Sequence, residues 1–235
     1  MFTFIGRDIY RHLDILTPMR DAFHDDLDAI NQTLVDMSAL VSDAMAHATT
    51  ALLTANLELA EEVIAEDDRV DTIQHDLDNK TLEVMARQQP VASDLRNLVT
   101  SLRMSADFER MGDFAHHIAR IARMRYPSSA VPAELALTIQ SMGNVAVALN
   151  NKVTGLLTSR DTEVALQVER DDDEMDKLHR KLFEVLLDDN WAHGIETAID
   201  MTLLGRYYER FADHAVSVSR RVYFLVTGEY AEKQS

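Results

Sequence analysis

Asp107-Phe-Glu-Arg-Met-Gly-Asp113 and Tyr207-Tyr-Glu-Arg-Phe-Ala-Asp213 spell Glu-Arg-x-x-Asp twice, one hundred residues apart. Around the first copy Met111, Ala115, Ile118 and Ala122 recur at helical spacing, and around the second Phe211, Ala215, Val218 and Val222 do the same. A second series matches at an offset of 105, Val63, Asp67, Val70, Gln74 and Leu77 against Val168, Asp172, Met175, His179 and Leu182. Two matched helices per half describe a duplicated helical unit. The five-residue difference falls in the turns Gln88-Gln-Pro-Val and Asn190-Trp-Ala-His-Gly194, where length changes are tolerated.

Working outward from the repeat, a first helix is expected from Phe23 through Leu27, Ile30, Leu34, Met37, Val41 and Met45 to about 53, and a second follows the break Thr54-Ala-Asn56. Pro90 and Asp94 open a third, which runs to about 126. The stretch Tyr126-Pro-Ser-Ser-Ala-Val-Pro132 reads as a linker, after which three more helices are expected over about 133–158, 161–190 and 194–227. The expected fold is therefore all-α: two tandem, pseudo-symmetric three-helix bundles over 19–126 and 133–228, joined by 127–132, with a tail at 229–235. Residues 1–18 are apolar but interrupted by Arg7, Asp8, Arg11, His12 and Asp14, which excludes a secretion signal core. Pro18 ahead of Met19 favours a helix break there, so 1–18 reads as an N-terminal extension, either an amphipathic extra helix or an untranslated leader with Met19 as the start of translation.

Composition agrees with a helical class. Gly and Pro number only 7 and 4 among 235 residues, and hydrophobic residues make up 46%, enough for a substantial core. The net charge of −17 opposes phosphate backbones and argues against nucleic-acid binding. No apolar run is long enough to span a membrane, which argues against membrane insertion. The chain has no cysteine, so disulfides and thiolate metal sites are excluded and a cytoplasmic location fits.

The acidic residues of the repeat carry the chemistry. A Glu and an Asp four apart share one helix face and repel, so each such pair calls for a compensating partner. The pairs are Asp67/Asp71 and Glu109/Asp113 in the first half, Asp172/Asp176 and Glu209/Asp213 in the second. The series Leu95, Val99, Leu102, Ala106, Glu109, Asp113 has seam spacing, which predicts that Glu109 and Asp113 face a neighbouring helix. In the second half Thr202 and Arg206 precede Glu209, so its register is less apolar. Four carboxylates from two helices make a hard oxygen site for Mg²⁺, Mn²⁺, Ca²⁺ or iron. His116 and His179 are possible nitrogen ligands, although they do not occupy equivalent positions. Acidic residues are abundant here, and a solvated acidic face, or neutralisation by Arg206 or Arg210, is the alternative that needs no metal.

Taken together these motifs resemble the PhoU family of phosphate-transport accessory proteins, whose halves each carry Glu/Asp-x-x-x-Asp. Asp67-Asp-Arg-Val-Asp71, Glu109-Arg-Met-Gly-Asp113, Asp172-Asp-Glu-Met-Asp176 and Glu209-Arg-Phe-Ala-Asp213 match that pattern, and Gln89-Pro-Val-Ala-Ser-Asp-Leu-Arg96 is similar to the start of the family's third helix. Ala212 stands where the family usually writes Gly. The resemblance implies a cytoplasmic, non-enzymatic regulator that binds divalent or trivalent metal ions (Mg, Mn, Fe or Zn) through these carboxylates and commonly dimerises. It further implies coupling of a phosphate ABC transporter ATPase to a sensor histidine kinase, with negative regulation of the phosphate-starvation response. A carboxylate-bridged di-metal oxidase or ferroxidase is the competing enzyme reading. Only Asp113-Phe-Ala-His116 approaches its Glu-x-x-His element, with Val216 at the counterpart of His116.

Overall fold

A computed structural model describes the backbone of residues 6–90 and 92–229, with side chains from residue 22 onward. Among the described residues there are six α-helices and no strand: α1 Gly6–Thr54, α2 Leu57–Gln88, α3 Ser93–Arg125, α4 Ala136–Ser159, α5 Thr162–Leu186 and α6 Gly194–Thr227, with a 3-10 turn at Ala133–Leu135. None of these is long and apolar enough to cross a membrane.

The helix ends follow from local chemistry. Asn56 caps α2 by accepting from the Leu59 amide at 3.1 Å. Asp161 caps α5, accepting from Glu163 and Val164. Gly228 ends α6 in the left-handed conformation, which glycine adopts without a Cβ penalty. The expected helix break at Pro18 is absent, because α1 reads through it. Proline removes one backbone donor and crowds the preceding turn, but the turns on either side of it remain helical. The fifth helix stops at Leu186 instead of continuing to 190, as Asp188 and Asn190 form a polar turn with the Asn190 amide donating to Asp188 at 2.8 Å.

In each half three helices pack together, α1 with α2 and α3, and α4 with α5 and α6. The halves also grip each other, α1 lying against α4 and α3 against α6, while α2 and α5 lie outside this central group. Gly143 lets α4 approach α1 closely, since a Cβ there would stand 2.6 Å from Thr49 Cγ2. Beside it the Thr49 and Tyr208 hydroxyls hydrogen-bond at 2.9 Å, and Asn150 donates to the Ser38 carbonyl at 2.7 Å. Between α3 and α6, buried Asp107 accepts from Arg221 at 2.7 Å and pairs with His214 at 2.9 Å. Phe114 stacks on Tyr207 at 6.2 Å. An offset of one hundred converts the first of these helix contacts, 107 with 214, into the second, 207 with 114, so an ionic contact and an aromatic contact occupy equivalent places about the internal two-fold. In the 126–132 segment Ala130 and Val131 are buried, so this stretch is packed down onto the protein.

Candidate metal-binding carboxylates

The seam predicted along α3 is displaced. Leu95 and Val99 are 43% and 37% exposed, and Ala106 is exposed too. The buried line runs through Leu98, Ser101, Ser105, Phe108, Gly112 and Ala115. Small polar residues occupy core positions where helices approach closely, so the apolar pattern alone points to the wrong stripe. Glu109 and Asp113 consequently flank the core and are half-buried. Glu209 stands in the same setting on α6, whereas Asp213 is more exposed than Asp113.

The two helices of each half bring their carboxylates together. Asp67 lies on α2 opposite α3, and its carboxyl is pushed above the ordinary aspartate range by burial, with Asp113 and Asp71 adding repulsion. Glu109 is raised for the same leading reason, with repulsion from Asp113, Asp71 and Asp67. In the second half, burial pushes Asp172 up to about 7, and Asp176, Asp213, Asp173 and Glu209 contribute to it. Each predicted quartet is therefore one electrostatic unit, as expected for like charges sharing a partly dry site. Asp71, Asp176 and Asp213 are exposed; the other five carboxylates are half-buried.

Counter-charges are present. Arg110 lies 3.5 Å from Glu109 and 3.0 Å from Asp113, and Arg206 pairs with Glu209. His116 Nδ1 is 2.6 Å from Asp67 Oδ2, which joins it to the first quartet. His179 belongs to no quartet. Its Nε2 is buried without a hydrogen-bond partner, and its ring packs on Phe183 at 4.9 Å and beside Gly205. As the side chains stand, no three His, Asp or Glu groups among the described residues are gathered tightly enough to chelate an ion. The donor set suits a hard cation nonetheless: oxygen-rich, half-buried, self-repelling and served by an adjacent histidine in the first half. Gly112 sits against this site, and a Cβ there would meet Val70 Cγ1 at 3.5 Å and Asp67 Oδ1 at 3.6 Å, ordinary contact distances. Ala212 is buried at the equivalent place on α6.

The inter-half contacts of Asp107 with His214 and Arg221, and of Asp200 with Arg125 at 2.6 Å, form a set of residues not anticipated from the sequence. A signal was present, since Asp107 lies in phase with Met104 and Met111, and Asp200 with Leu204 and Tyr208. An acid at a core position asks for a cation, but the partner's position in sequence is not encoded locally.

The PhoU domain family matches this chain twice, at residues 34–122 and 139–222. The "Phosphate-specific transport system accessory protein PhoU homolog 2" of Mycobacterium tuberculosis is 46% identical over 212 residues, which cover 90% of this chain and 100% of that protein. The PhoU homolog 1 of Mycobacterium leprae is 45% identical over 214 residues, covering 91% of this chain and 96% of its own. The crystal structure of PhoU from Pseudomonas aeruginosa superposes with a TM-score of 0.78 at 26% identity, covering 88% of this chain and 100% of that one.

Proposed function

This chain belongs to the PhoU family, and from that premise we propose that it is a metal-binding cytoplasmic regulator of phosphate uptake. Its relatives are named as accessory proteins of a phosphate-specific transport system. The regulatory role that follows is negative control of the phosphate-starvation response, with the chain coupling a transporter ATPase to a sensor histidine kinase, as a homodimer and without turnover. The observation that carries the metal reading is the convergence of Asp67, Asp71, Glu109 and Asp113, and again of Asp172, Asp176, Glu209 and Asp213, as two self-repelling, partly dry quartets. Keeping such groups ionised in a partly dry site is costly, and a cation relieves that cost. These carboxylates would hold Mg, Mn, Fe or Zn, which would supply positive charge against their mutual repulsion; His116, hydrogen-bonded to Asp67, would orient that carboxylate.

A metal-free scaffold is the second reading, favoured by the ion pairs of Arg110 and Arg206. Arg110 and Arg206 are themselves exposed, and ion pairs at a solvated surface contribute about 0–1 kcal/mol, while burial still raises Asp67, Glu109 and Asp172. The regulatory part is tested by capture from phosphate-replete cells with the intact chain and with an Asp113→Ala, Asp213→Ala variant. The intact chain is expected to retain the transporter ATPase and the variant to lose it. Retention of neither the ATPase nor the kinase by the intact chain would overturn the coupling role.

A further inference from the structure

The two quartets occupy equivalent places in the repeat, but their surroundings differ. In the first half His116 covers Asp67, Arg110 covers Glu109 and Asp113, and a crevice of about 10 Å³ adjoins Asp67 and Gly112. In the second half Val216 replaces the histidine. Among the described residues Arg210, the counterpart of Arg110, makes no hydrogen bond or ion pair. A cleft of about 490 Å³ opens beside Asp172 and Asp213, and its lining includes Arg170, Arg210, Arg220 and Ser217. Arg220 is held by Glu169, whereas Arg170 donates only to the neutral side chain of Gln167 at 2.8 Å.

Guanidinium groups carry donors and no acceptor, and their planar fork matches the oxygens of a phosphoryl group. Arg210 and Arg170, which no hydrogen bond ties to a carboxylate, together with the Ser217 hydroxyl, therefore give the cleft donors suited to an oxyanion. Glu169, Asp172, Asp173 and Asp213 line the same cleft and repel such a ligand until a cation neutralises them. We infer that the second-half cleft, and not its first-half counterpart, binds a phosphoryl oxyanion jointly with a divalent cation. The cation sits on Asp172 and Asp213, and the anion on Arg210, Arg170 and Ser217. This rests on the metal reading above, and it adds a ligand class and an asymmetry between the halves.

Equilibrium dialysis of the full chain with radiolabelled inorganic phosphate, in Mn²⁺ or in chelator, tests the inference, with elemental analysis of Mn²⁺ on the same samples. The wild type is expected to retain phosphate only with Mn²⁺, Arg210→Ala to bind at least about tenfold more weakly, and Arg110→Ala to bind as the wild type does. Both arginines are exposed, and circular dichroism checks that the variants remain folded. A parallel arm with phosphoserine separates sources: retention of phosphoserine alone supports phosphoryl recognition and assigns it to a modified partner chain. Mn²⁺ retained without either phosphoryl ligand, or equal losses in the two variants, overturns this inference and leaves the metal reading standing. Absence of retained Mn²⁺ overturns both.

Discussion

Asp172 is the residue where the physical conflict is sharpest. Its folded-state pKa of about 7 lies well above the unfolded aspartate value of about 3.9, so between those values the folded chain holds the extra proton. Stability contributed by the protonated carboxyl is present at low pH and is lost as pH rises through about 7. In chelator, Asp172→Asn is therefore expected to raise Tm by roughly 5 °C at pH 8 and by much less at pH 4.5, checked by calorimetry at both values. An equal gain at both would refute the burial cause. Gly205 makes an opposite case. A Cβ there would meet Leu182 Cδ2 at 2.7 Å and His179 Cδ2 at 3.1 Å, although its counterpart in the repeat is Ser105. Gly205→Ser is expected to cost about 1–3 kcal/mol in a denaturant titration, whereas Gly112→Ala should change stability by less than about 1 kcal/mol. The histidines show what repeat logic misses: both His116 and His179 lie seven residues after an acid, but only His116 has its acidic partner across the helix pair.

At the level of the element, α3 shows how far sequence reading reaches. The six helices were legible, because Thr54-Ala-Asn56, Pro90 and the Tyr126–Pro132 stretch punctuate the chain and apolar residues recur every three or four positions between them. The face of α3 was not, since Leu95, Val99 and Leu102 satisfy seam spacing as well as Leu98 does, and the true core line uses Ser101, Ser105 and Gly112. Hydrophobicity does not report small residues placed for close approach. The distinction can be measured: Leu98→Ala should cost about 2–5 kcal/mol, and Leu95→Ala less than about 1 kcal/mol. Comparable losses would restore the other stripe. The acidic pairs were found even so, because Glu109 and Asp113 border both stripes.

On the scale of the whole molecule, the internal two-fold joins the halves through α1 with α4 and α3 with α6, leaving α2 and α5 to present their carboxylates from outside. Contacts such as Asp107 with Arg221 and Asp200 with Arg125 link residues far apart in sequence, and for that reason were not legible. They imply that the halves unfold together, as one calorimetric transition. Asp200→Ala strips the buried partner of Arg125 and should cost about 1–3 kcal/mol. Two resolved transitions in the wild type would contradict the joined core. The central claim, that the repeated acidic quartets are cation sites, is most directly tested by metal content per chain after dialysis against Mn²⁺ and removal of free ion. Wild type should retain Mn²⁺, with part of it lost in Asp67→Ala, Asp113→Ala, part in Asp172→Ala, Asp213→Ala, and all of it in the combined variant. Content at the buffer level in wild type, or content indifferent to these substitutions, would contradict it.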